Sequence, residues 1–161
     1  MANVVLGIDP GLSGAIAALH MDSGKLISVY DMPTFEKKGS KKTVREINDQ
    51  ELTNLIQAMA PSFGVIEGVS AMPGQGVTSV FRLGAAFGTA KGVMAGLGIP
   101  FVAVHPATWK KGMKLSGDKA LSRQMATRQW PDMSKSFARV KDDGRAEAAL
   151  LALWFQRGGH R

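Results

Sequence analysis

Two short apolar runs that each end in a carboxylate constrain the fold of this chain more than any other feature. Val4 to Asp9 (VVLGID) stops at Pro10-Gly11, and Phe63 to Glu67 (FGVIE) stops at Gly68. Short apolar runs bounded by turn residues read as strands buried on both faces, so the chain must build a sheet covered by helices on either side. A buried strand that carries an acid to its last position, beside a tight turn, presents a hard oxygen ligand rigidly. A lone aspartate in that place reads as a turn cap. A second acid at the end of another buried strand changes the balance, because neither has a basic neighbour in the sequence. Two such carboxylates repel unless a cation lies between them.

Around these runs the other elements follow from periodicity. Gly14 to His20 and Leu26 to Asp31 are apolar runs separated by the hairpin signal Asp22-Ser23-Gly24, which predicts an antiparallel three-strand meander with the first strand. Glu36 to Arg45 (EKKGSKKTVR) reads as an exposed polar loop. Leu52, Leu55, Ile56 and Met59 have helical spacing, with Asn48 and Glu51 as a capping pair. Thr78 to Leu97 predicts a longer helix with Val80, Leu83, Phe87 and Met94 on its apolar side. Gly84, Gly88, Gly92 and Gly96 form a stripe along it that admits another backbone closely, within the fold as the simpler reading or across a dimer. Ile99 to Val104 is a strand, Ser116 to Trp130 a helix with Ser116 as N-cap, and Asp143 to Gln156 the last helix. The expected fold is α/β: a mixed five-stranded sheet, the antiparallel meander plus parallel strands, flanked by helices in a single domain over residues 1–161.

Composition narrows the chemistry. The absence of cysteine removes disulfides, thiolate zinc sites and cysteine nucleophiles. The opening MANVVLGIDP lacks the marks of a signal peptide, and no apolar run is long enough to span a membrane, so a cytoplasmic protein is expected. Lys and Arg outnumber Asp and Glu by 20 to 13, a net charge of +7 that suits a polyanionic partner such as nucleic acid.

The last helix offers further acids. At about 100° per residue, Asp143 and Glu147 lie within about 40° of each other, near the side defined by Leu150 and Trp154. Asp142 lies about 140° from Glu147 on a continuous helix and joins it only if the chain is still non-helical there. The plainer reading makes Asp142 and Asp143 N-caps and Glu147 a solvated acid of the first turn. Basic residues cluster elsewhere: Lys110, Lys111 and Lys114 follow a Thr-Trp pair, and Lys119, Arg123 and Arg128 lie on the next predicted helix. Each is a candidate phosphate contact or simply part of a charged surface. In the loop after Glu67, Met72 either wedges against an open base step or covers the core.

GIDPGLSGAIA (Gly7 to Ala17), VIEGV (Val65 to Val69), TWKK (Thr108 to Lys111) and KDDGRAEAALLA (Lys141 to Ala152) resemble, in this order, motifs of the RuvC-type Holliday-junction resolvases, most closely the phage and plant-organelle branch. The resemblance implies an RNase H-like fold, a homodimer, and two magnesium ions held by Asp9, Glu67, Glu147 and either Asp142 or Asp143. The bacterial enzymes space their last two ligands three apart, whereas this chain offers four or five. Lys110 and Lys119 resemble family lysines near the cleaved strand. Oxygen-only ligands select Mg²⁺, with Mn²⁺ able to substitute. Two ions about 4 Å apart straddle a scissile phosphate in such sites. The implied function is paired hydrolysis of four-way DNA junctions, leaving 5′-phosphate and 3′-hydroxyl ends. A nuclease for flaps or RNA–DNA hybrids and a catalytically inactive DNA-binding module are the alternatives on the same fold. GIDPGLSG also resembles the opening of actin-like ATPases and sugar kinases, but those folds need two such domains and 161 residues supply one.

Overall fold

Alternation along the first strand decides which layer covers which side of the sheet. In the computed structural model, which describes residues 3–39 and 43–159, β1 (Val4–Asp9) places Val4, Leu6 and Ile8 on one face and Val5, Gly7 and Asp9 on the other. β1 pairs antiparallel with β2 (Ala15–His20), and β2 with β3 (Leu26–Asp31), which is the expected meander. Beyond β3 the chain forms helix α1 (Asp49–Met59), capped by Asn48, whose Oδ1 accepts the Glu51 amide at 3.1 Å. The partner strand β6 (Phe63–Glu67) then returns parallel to β1, and β7 (Phe101–Val104) pairs parallel with β6. The order β3-β2-β1-β6-β7 is the expected mixed five-stranded sheet.

Helices cover both faces. Leu6, Ile8, Ile16 and Ile66 pack with Leu52 and Ile56 of α1 and with Ala90 and Met94 of α2 (Val77–Gly96). On the opposite face Val5, Ala17, Leu19 and Val65 meet α5 (Asp143–Gln156). This last helix is buried nearly all round, since α4 (Lys119–Gln129) and the 3-10 segment Pro131–Phe137 close over its outer side. A glycine sets how closely α5 approaches. A Cβ on Gly7 would overlap the Ala148 carbonyl oxygen, and one on Gly144 would stand 2.7 Å from the Ser13 carbonyl oxygen. Both glycines let the helix backbone lie directly on β1 and on the turn after it.

Four expectations are corrected. Residues 36–45 are not simply a loop: β4 (Thr34–Lys38) and β5 (Thr43–Ile47) pair antiparallel as a separate two-stranded sheet, and residues 40–42 of the expected loop lie outside the described residues. Cross-strand Glu36↔Arg45 pairing and the β-formers Thr34, Phe35, Val44 and Ile47 support it, while its lysines hide the pattern. Arg45 ties it to the turn after β1, donating at 2.9 Å to the Leu12 carbonyl and to Ser13 Oγ. A short helix, α3 (Pro106–Gly112), follows β7 and was not expected. The N-cap of α4 is Asp118, not Ser116; Asp118 Oδ1 accepts the Ala120 amide at 2.9 Å. Finally, the α2 glycines do not serve internal packing, for a Cβ on Gly84, Gly88, Gly92 or Gly96 would meet nothing within 4 Å. No helix among the described residues is long and apolar enough to cross a membrane.

Overpacking a tight core contact typically costs 1–3 kcal/mol. Gly7→Ala is expected near the upper end, about 3 kcal/mol, because the atom in its way is helix backbone rather than a movable side chain. Urea unfolding of the variant beside the wild type measures it.

Candidate metal centre

The period-two alternation that packs the sheet also builds the site. Asp9 and Glu67 close two neighbouring parallel strands whose register pairs Ile8 with Ile66, so the next residue on each strand faces α5. One turn into α5, Glu147 points back at them. One carboxylate oxygen from each of Asp9, Glu67 and Glu147 lies within 4.8 Å of the other two. Two of these acids come from strand ends and one from a buried helix, so none can withdraw far without disturbing the core.

Burial and neighbouring charge shape the ionisation of Asp9 and Glu67. Burial, then the charges of Glu67 and Glu147, push the Asp9 carboxyl from 3.8 up to about 7. Burial also raises Glu67, against the lowering effect of a hydrogen bond from Trp109 Nε1, which donates to Glu67 Oε1 at 2.9 Å. Lys110, expected among phosphate-binding lysines apart from the acids, instead reaches into them. Its Nζ is 2.9 Å from Glu147 Oε1 and 4.0 Å from Glu67 Oε1. α3 explains this: residues 109 and 110 are consecutive on a helix placed right after β7, beside the end of β6.

The two remaining acids are held elsewhere. Asp142 is fully buried at the start of α5, where Arg139 grips it through Nε at 3.0 Å and Nη2 at 2.7 Å and by its backbone amide at 2.8 Å. Burial pushes Asp142 up, but the hydrogen bonds and charge of Arg139 outweigh it and hold the group below its ordinary value. Asp143 accepts from Arg123 Nε at 2.8 Å. Its position one turn before Glu147 shifts it by about 6 Å along the helix axis, toward α4 rather than the strand ends. Five acids were singled out in the sequence; the structure brings together Asp9, Glu67 and Glu147.

Among the basic candidates, Lys111, Lys114, Lys119 and Arg128 are exposed, and the charge of Lys119 is felt at Glu67. Arg123 is committed to Asp143. Met72 is 61% exposed, so it does not cover the core. Sequence reasoning assigned no role to Trp109, Arg139 or Arg145. Trp109 and Arg145 carried a weak signal, lying inside the TWKK and KDDGRAEAALLA motifs, though the partner of Arg145 is 114 residues away; Arg139 lies just outside the last motif and carried none.

Three carboxylates at this spacing offer the oxygen-only donor set that suits Mg²⁺ or Mn²⁺. With its folded value raised, Asp9 keeps a proton that the unfolded chain releases from about pH 4 upward. Its contribution to stability is therefore lost as pH rises from about 4 to 7. In metal-free buffer Asp9→Asn should melt several degrees above the wild type at pH 8, with the gap closing toward pH 4. Thermal melts of both proteins across that range test the sign, and a gap independent of pH would contradict it.

No family model and no curated protein matches this sequence. Solved structures do match. Thermus thermophilus RuvC in complex with a Holliday junction substrate superposes with a TM-score of 0.66 at 15% identity, covering 98% of this chain and 96% of that one. The fowlpox virus Holliday junction resolvase gives 0.60 at 15% identity, over 96% of this chain and 98% of its own. The yeast mitochondrial Holliday junction resolvase Ydc2 gives 0.58 at 18% identity, over 99% of this chain and 80% of its own. The superpositions run over nearly the whole of this chain, and the chain has the RNase H-like fold of these solved structures.

Proposed function

We propose that this protein is a Mg²⁺-dependent endonuclease that resolves four-way DNA junctions. The observation that carries the reading is the convergence of Asp9, Glu67 and Glu147 at the ends of two buried strands and on the facing helix. The fold shared with resolvases from a bacterium, a virus and a mitochondrion supports the substrate class, as does the net charge of +7.

Asp9, Glu67 and Glu147 would hold the ion, and Asp143 is the further acid on which a second ion would draw, after leaving Arg123. Bound there, divalent cations supply Lewis acidity, lowering the pKa of water and offsetting charge on the phosphate. The chain itself fixes the carboxylates by strand ends and helix, so little reorganisation remains when substrate arrives. Lys111, Lys114 and Lys119 present exposed ammonium groups on α3, just after it and on α4, the same side of the sheet as α5. They position the DNA backbone without reading bases. Lys110 would join them on leaving Glu147, and exposed Met72 would supply apolar surface to an opened base step.

The acting unit is a homodimer. Along α2, Val77 and Phe81 are 86% and 76% exposed, and Gly84, Gly88 and Gly92 continue their face outward into open space. Large apolar groups beside small residues suit close contact with a second copy across a two-fold axis. One acidic cluster of this kind is present among the described residues, so two coordinated cuts need two chains.

Asp9→Asn and Glu67→Gln should each lower Mg²⁺-dependent cleavage of a four-way junction by about 10³-fold or more, the several kcal/mol an ion supplies, while junction binding survives. Cleavage assays beside matched duplex, flap and hybrid substrates check both activity and selectivity. Near wild-type cleavage by Asp9→Asn sinks the mechanism; equal cleavage of flaps or hybrids sinks the junction assignment. Light scattering should report a dimer, and mixing wild type with Asp9→Asn should yield species that nick one strand only. Phe81→Asp should shift the protein toward monomer. Bilateral cleavage by a monomer, undiminished by mixing, overturns the dimer.

A further inference from the structure

The acidic cluster has a fixed donor behind it that the reading above does not use. Trp109 is fully buried, and its indole Nε1–H donates to Glu67 Oε1 at 2.9 Å. Indole has one polar atom and only donates. A tryptophan sealed in a core therefore has to find an acceptor for that hydrogen, and here the acceptor is one of the three converging acids.

Several local features hold the indole in that place. β7 pairs Val104 with Glu67, and the Val104 carbonyl accepts the Gly68 amide at 2.7 Å, locking the chain beyond β7 to the chain beyond β6. His105 then caps α3, its Nδ1 accepting the Ala107 amide at 3.2 Å, with Pro106 in the first turn. Trp109 follows one turn later, its ring packed within the core that contains Val65, Ala146 and Leu150. The donor is thus tied to the same strand pair that carries its acceptor. Glu67 has a longer and more flexible side chain than Asp9, and without a partner its carboxylate would sample several rotamers at the strand end.

We propose that Trp109 is a positioning residue: its indole N–H fixes Glu67 Oε1 and so holds the carboxylate in the orientation that ligates the divalent cation. This rests on the metal-site reading and deepens it. Outer hydrogen bonds to a ligating carboxylate commonly carry 10–100-fold of metal affinity, because they remove the freedom the ligand would otherwise lose on binding. The packing role of the ring and the positioning role of its N–H are separable, since Trp109→Phe keeps an aromatic ring and removes the donor.

The experiment is Mn²⁺ binding to the DNA-free full chain, followed by calorimetry, for the wild type and Trp109→Phe. The expected result is affinity about 10-fold or more weaker in the variant, with the melting temperature in metal-free buffer within a few degrees of the wild type. Affinity unchanged within twofold in a folded variant overturns the inference while leaving the metal site standing. Failure of the wild type to bind Mn²⁺ overturns the metal site and this inference with it. If Trp109→Phe does not fold, the indole NMR signals of the wild type decide. Among three tryptophans, one indole N–H should move on Mg²⁺ addition, and the same one should move in Glu67→Ala. If no single indole responds to both, the inference is overturned.

Discussion

Three carboxylates held within 4.8 Å of one another, against their own repulsion, are the constraint around which this structure is arranged. Water would keep such groups apart; a parallel strand pair and a helix packed directly on a glycine do not let them separate. The strain falls first on Asp9, whose carboxyl is raised to about 7 by burial and by its two neighbours. Core packing supplies the counterweight. Val5, Val65, Ala146 and Leu150 bury the same layer from which the acids project, so moving a carboxylate outward means opening the contact between α5 and the sheet. The site is rigid because its geometry is also the geometry of the core.

Much of this was legible in the residues because a strand's period of two leaves few choices. VVLGID and FGVIE had to be buried strands, and an acid at the last position of each had to reach the same face if the strands ran side by side. The placement of Glu147 on an otherwise apolar helix was readable in the same way. What was not legible depends on partners distant in sequence. Helical angles made Asp143 and Glu147 neighbours, yet Arg123, twenty residues earlier, takes Asp143. Angle around an axis says nothing of what stands opposite at each level along it. The glycines of α2 misled for a related reason: their spacing shows that a backbone could approach but not which side of the helix faces the protein. In the β4–β5 pair, dense lysine masked strand formers that a cross-strand pairing argument could have found.

The acids of this chain divide by the cation that faces them. Asp142, Asp143 and Asp31 are met by Arg139, Arg123 and Arg145, with N–O distances of 2.6–2.8 Å at their closest. Arginine stays charged and forms forked, geometrically committed pairs, as Arg145 does with both oxygens of Asp31. These pairs fasten the start of α5 to β3 and α4, and so set the angle at which Glu147 enters the site. Within the cluster the only basic contact among the described residues is a lysine, Lys110, which meets Glu147 through one compact ammonium group on a flexible stem. An ammonium with three freely rotating donors is replaced by a metal ion or turned toward a phosphate with far less disturbance than a bidentate guanidinium. Arginine at position 110 would close the carboxylates into a permanent ion-pair network. The two-nitrogen grip of arginine falls on Asp142 and Asp31, which support the fold, and lysine falls on the acids left facing one another, while Asp143, held through Arg123 Nε alone, stands between the two groups.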